Sequence, residues 1–149
     1  MGPRAASSRR PQARLAADMA DVLLDTTVLI DLLRGRPGAA ARLAALRDAG
    51  DRPHTCAVNV EETVRGLRQE ELRAAQDLFA GLRVAPLGAA EGWQAGEWRR
   101  DHARAGTTLA QADCLVAAAA FSVGGRLATG NPKDFPMQQL TVDHWPAGE

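Results

Sequence analysis

With 149 residues, 46% of them hydrophobic and 24% charged, the chain can build one self-supporting core, which excludes both a disordered polyelectrolyte and a disulfide-stapled mini-domain. Its 18 basic and 18 acidic residues cancel; four of the arginines fall in residues 1–18, and 14 basic face 17 acidic residues beyond them. A global field that steers nucleic acid is thereby excluded, and the longest apolar stretch, Cys114 to Phe121, is far short of the roughly 18–20 residues of a membrane span.

Residues 1–18, MGPRAASSRRPQARLAAD, are rich in Arg and Ser but lack an apolar helix face. They read as a disordered leader before a single domain over 19–149, with Met19 as an alternative start. VLLD, Val22 to Asp25, is a continuous apolar run of the kind a fully buried parallel strand shows. Thr26 and Thr27 can cap a helix that runs through Arg34 and stops at RGRPG, with Asp31 expected on its exposed side beside Arg34. AAARLAALRDAG predicts a second helix and HTCAV, His54 to Val58, a second strand. NVEETVRGL then opens a helix with Asn59 as N-cap, Glu62 three residues on and Gly66 as stop. A further helix is expected over Gln69 to Phe79, a third strand in RVAPLG, and a long helix over Ala89 to Ala105. TTLAQADCLVAAAAFSVGG is the clearest helix, and RLATGNPKDF is a strand running into a loop. Strands alternating with helices predict an α/β fold, a parallel sheet covered on both faces. Ligands of such sheets gather at the carboxyl ends of the strands.

Four carboxylates fall at such places. Asp25 ends the first strand. Asp113 lies on the apolar stripe of its helix with Leu109, Val116, Ala120 and Val123, so an acid faces the sheet. Burying a lone carboxylate costs several kcal/mol, so it needs a partner. Glu62 lies in an early helical turn and Asp134 just beyond the last strand. Each has a plain alternative: a helix cap for Asp25, half a capping box for Glu62, a dipole-held acid for Asp113, a turn residue for Asp134. Together, like charges converging within about 4–6 Å would oppose folding unless a cation held them. All-oxygen ligands favour Mg2+ or Mn2+, and such an ion can activate water against a phosphodiester.

LLDTTVLIDLLRG, AVNVEETVRGL, QADCLVAAAAF and LATGNPKDF, in this order and spacing, resemble the four signature segments of PIN-domain ribonucleases, specifically the VapC toxins of toxin–antitoxin pairs. The resemblance covers Asp21 to about Trp145. It implies a PIN-like three-layer sandwich around a central parallel five-stranded sheet in order 3-2-1-4-5. It also implies Mg2+-dependent RNA cleavage leaving a 5′-phosphate and a 3′-hydroxyl, a homodimer, and a cognate antitoxin whose tail blocks the groove. The family's metal-site acids fall on Asp25, Glu62, Asp113 and Asp134, and Glu62 is matched rather than Glu61 because it precedes Gly66 by four residues. Thr27 fills a polar position that steadies the site, and either Asn131 or Asp134 stands nearest the ion. Arg34, Arg36, Arg65, Arg68 and Lys133, close in sequence to these segments, are candidate RNA contacts. One departure is Gly130, where the family usually carries arginine.

The isolated Cys56 and Cys114 fit a reducing cytoplasm and read as small buried residues. His54, His102 and His144 lack metal-ligand spacing or a paired nucleophile. Trp93 and Trp98 suit packing or a dimer interface better than base stacking. Three other readings compete with the toxin: a housekeeping RNA-processing nuclease of the same fold, a receiver-like signalling module, and a catalytically dead binding module. The receiver reading wants an Asp at the end of the third strand, where this chain has APLG.

Overall fold

The computed structural model describes residues 19–149; the leader expected over 1–18 lies outside the described residues. In chain order the elements are β1 (Asp21–Leu24), α1 (Thr26–Leu33), α2 (Pro37–Asp48), β2 (Arg52–Thr55), α3 (Ala57–Arg65), α4 (Leu72–Ala80), β3 (Arg83–Val84), α5 (Ala89–Arg104), α6 (Gln111–Ser122), β4 (Arg126–Thr129) and β5 (Thr141–His144). Single 3-10 turns lie at Gln69–Glu71 and Pro132–Asp134. All the strand pairs are parallel and the order is β3-β2-β1-β4-β5, as the resemblance implied.

β1 is apolar without a break because both of its faces are buried. Val22 and Leu24 enter one core with Val28 and Leu29 of α1, Leu43 of α2 and Trp145, and Leu78 and Phe79 of α4 pack against it. Leu23 points the other way, into a core with Ala95 and Trp98 of α5 and Val116, Ala117 and Ala120 of α6. Each fully buried leucine contributes about 1.5–3 kcal/mol. The sheet is thus the middle of three layers, and among the described residues no helix is long and apolar enough to cross a membrane.

Several expectations shift. β2 ends at Thr55 rather than Val58, because Ala57 and Val58 already belong to α3. Asn59 is therefore not the N-cap but the third helical residue, and its side chain reaches back to the N–H of Cys56, the true N-cap. β3 keeps two exposed residues at the sheet edge, and β5, whose TVDH carries no apolar run, is a strand that only the resemblance implied. Asp31 is buried, not exposed: its carboxylate accepts the N–H of Gly148 at 2.8 Å. The same C-terminal segment meets α2, where the Gly38 N–H donates to the Glu149 carbonyl at 2.7 Å.

Parallel strands send their ends in two directions. At the amino ends, Asp21 pairs with Arg52 at 2.6 Å, and Arg126, which opens β4, reaches Asp51 at 3.8 Å as well as Asp143 along β5 at 2.8 Å. At the carboxyl ends lie Asp25 and the loop that holds Asp134.

Candidate active site

Asp25 follows β1 directly and, in an extended conformation, stands as N-cap of α1. Its N–H donates to the Ala128 carbonyl at 2.9 Å, which ties it to the end of β4. The carboxylate is 8% exposed and its Oδ2 accepts the Thr129 hydroxyl at 2.7 Å. Burial pushes its pKa up despite the opposing hydrogen bonds from Thr129 and the Thr26 N–H, and the charges of Glu62 and Asp134 add to the rise.

Glu62, half-buried on α3, is held from α1: the Thr26 hydroxyl donates to its Oε1 at 2.7 Å. Thr26 in turn accepts from the Asn59 amide at 3.1 Å. Thr27, the residue singled out from the sequence, serves a different contact, accepting the Gly130 N–H at 2.9 Å. Both hydroxyls thus work, one towards α3 and one towards the loop after β4.

Asp113 occupies the first turn of α6 and is half-buried. Its pKa is pushed up to about 6, by burial first and then by the charges of Asp134, Asp25 and Glu62. Asp134 ends the exposed 3-10 turn after β4, and Asn131 before it donates its N–H to the Thr129 hydroxyl at 3.0 Å. Four acids from four segments therefore share one electrostatic neighbourhood. Among the described residues no three His, Cys, Asp or Glu side chains form a ready-made metal group. The donor chemistry nonetheless fits a hard divalent cation such as Mg2+ or Mn2+. The nearby Cys56 thiol is kept protonated by burial.

Over residues 22–136 the sequence matches the PIN domain family. The chain belongs to the PIN domain family. Ribonuclease VapC19 of Mycobacterium tuberculosis (strain H37Rv) is 33% identical over 122 residues, 77% of this chain and 92% of that protein. Ribonuclease VapC10 of the same organism is 34% identical over 116 residues, 78% of this chain and 86% of its own. Among solved structures, VapBC2 from Rickettsia felis bound to a promoter DNA fragment matches with a TM-score of 0.73 at 19% identity, covering 84% of this chain and 98% of that one. VapBC-1 from nontypeable Haemophilus influenzae gives 0.70 at 23% identity with the same coverage. At these identities the structures show the fold.

In this PIN domain an open recess of about 370 Å3 between α3 and α6 adjoins the acids, lined by Ala57, Glu61, Glu62, Arg65, Gln111 and Leu115. Arg65 is the cation of this recess, and it is already held by Glu61, at 2.9 and 3.3 Å. Arg68 pairs with Glu70 and Glu71. Arg34 lines a separate recess between α1 and α3, Arg36 is exposed at the start of α2, and Lys133 is exposed beside Asp134. Of the five basic candidates, Arg65 is the one that lines the recess beside the acids. Gly130 has a local cause in this PIN domain. A Cβ there would stand 3.1 Å from the Ala147 Cβ and 3.3 Å from both the Thr27 hydroxyl and the Trp145 carbonyl, so the C-terminal segment fills the space a side chain would need. Thr26 and Thr129 are the site residues that sequence reasoning missed. Both are hydroxyls within two residues of a signature acid or amide, a signal too common to single out.

Proposed function

We propose that this PIN domain is an Mg2+-dependent endoribonuclease toxin, with Mn2+ as a possible substitute, in which Asp25, Glu62, Asp113 and Asp134 hold the ion. The observation that carries the reading is the convergence of these acids, in which Asp25, Glu62 and Asp134 all raise Asp113. Such a cluster is costly as bare carboxylates and becomes favourable when a cation is shared. When bound, the ion supplies an activated water and neutralises charge on the scissile phosphate.

The chain's own residues do the rest. Asp25 is fixed by the Thr129 hydroxyl and the Thr26 N–H, and Glu62, fixed by the Thr26 hydroxyl at Oε1, has its other oxygen left for the ion. Asp113, raised to about 6 by burial and its acidic neighbours, is ionised at neutral pH and so able to ligate the ion. Thr27 and Asn131 hold the loop that carries Asp134 through backbone contacts. The open recess beside Glu62 admits an extended strand, and Arg65 can exchange Glu61 for a phosphate there. Arg34, Arg36, Arg68 and Lys133 are further candidate phosphate contacts outside that recess. The similarity to VapC19 and VapC10, named ribonucleases, and to VapBC complexes supports RNA as substrate and a cognate antitoxin as partner; a homodimer in the cytoplasm completes the proposal.

Incubating the purified protein with total RNA tests this. Cleavage that requires Mg2+, stops with chelator and is lost in Asp113→Asn is expected. RNA left intact at every Mg2+ concentration, or cut equally well by Asp113→Asn, overturns it.

A further inference from the structure

Asn59 is fully buried on α3, at the back of the acid site. Two donors converge on its Oδ1, the Cys56 N–H at 3.3 Å and the Cys56 thiol at 3.0 Å. A backbone N–H can only donate, so the atom that faces it is the amide oxygen, and the amide's orientation is fixed by chemistry. Nδ2 is then the group that faces Thr26 Oγ1 at 3.1 Å, and it too can only donate. A hydroxyl that accepts there turns its single proton to its other neighbour, Glu62 Oε1, at 2.7 Å. The three contacts run one way, from Cys56 through Asn59 and Thr26 to Glu62, and each donor polarises the next.

We propose that Thr26 and Asn59 are positioning residues that set the direction of the Glu62 carboxylate, holding Oε1 so that the other oxygen is offered to the cation. The inference rests on the metal-site reading above. Glu62 sits on a helix and Thr26 on another, 36 residues apart, so without the relay nothing described ties the end of this side chain. Thr27, one residue further, is directed elsewhere: its hydroxyl meets the Gly130 N–H of the loop after β4. Partners of this kind, one step behind a ligand, are worth about 10–100-fold in metal affinity.

The test measures Mn2+ binding by calorimetry with no RNA present, on wild type, Thr26→Val, Thr26→Ser and Asn59→Thr, with melting in chelator as the control for folding. Thr26→Val keeps the shape and removes the hydroxyl, and its Kd should rise about 10-fold or more. Thr26→Ser restores the hydroxyl and should return to within about twofold of wild type. Asn59→Thr keeps an oxygen for the Cys56 N–H but replaces the amide donor to Thr26 by a hydroxyl set one bond further back; its Kd should rise too, and it carries the comparison if Thr26→Val does not fold. In cleavage assays Thr26→Val should need more Mg2+ for half-maximal rate while its plateau recovers. A Thr26→Val protein that melts lower yet binds Mn2+ as tightly as wild type would make Thr26 a structural residue only and overturn the proposal. A wild type that binds no Mn2+ is a separate result, which overturns the metal reading and the relay with it.

Discussion

The Thr129 hydroxyl donates to Asp25 Oδ2 at 2.7 Å across 104 residues of chain. It joins the carboxyl ends of the two central strands, and it is the side-chain donor that offsets the burial of Asp25. Thr129→Val removes that donor without changing the shape. The buried acid should then destabilise the fold by about 1–3 kcal/mol at neutral pH. Urea denaturation at pH 7.5 and pH 4 checks this: the loss should be larger at the higher pH, which favours the charged form of Asp25. An equal loss at both pH values would assign it to packing.

Asp113 gives a pH dependence of definite sign. Its pKa is raised from 3.8 to about 6 in the folded protein, so between those values the folded state binds more protons than the unfolded one. Stability from this group is therefore fully present below about pH 4 and is lost as pH rises through about 6. In chelator, Asp113→Asn should melt higher than wild type at pH 7.5 and equally at pH 3.5. The gain is on the order of 1 kcal/mol after solvent screening of a half-exposed acid, or about 2–4 °C. Mg2+ should raise wild-type Tm by mass action and move Asp113→Asn less.

Much of this was legible in the sequence because it depends on local pattern. The unbroken apolar run of β1 and the apolar face of α6 place Asp25 and Asp113 without reference to anything distant. The edges of the sheet were not legible. β3, expected in RVAPLG, keeps only two residues, and β5 is a polar edge strand without an apolar run; the inner β2, expected from HTCAV, is found but begins earlier, at Arg52. Asp31 misled for a related reason. Its partner, the Gly148 N–H, is 117 residues away, and helical periodicity does not register a backbone group that arrives from the end of the chain. Thr26 and Thr129 escaped notice likewise, since a threonine's role is set by what it faces.

The docked C-terminal segment yields its own prediction. A Cβ on Gly38 would stand 2.8 Å from the Glu149 carbonyl oxygen, so Gly38→Ala should displace the segment and cost about 1–3 kcal/mol. Limited proteolysis should then trim the terminus faster than in wild type. Unchanged stability and trimming would mean that the contact holds nothing.

The cysteines should be silent. Cys56 and Cys114 are both fully buried, and burial pushes the Cys114 pKa up to about 11. A disulfide-exchange reagent at pH 8 should label neither in the native protein and both in urea. Fast labelling of the native protein would show that α3 or α6 opens readily.

The parallel sheet has a consequence for how this chain can change over time. Every strand points the same way, so the ion pairs of Asp21 with Arg52 and Arg126 with Asp51 are gathered at one rim and the acids at the other. One rim is an anchorage and the other a workbench. Substitutions at the anchorage trade against each other in stability alone, so many combinations of charge are interchangeable there. The workbench has no such freedom, because each hydroxyl behind an acid answers to a single geometry, and its losses cannot be repaired from the far side of the molecule.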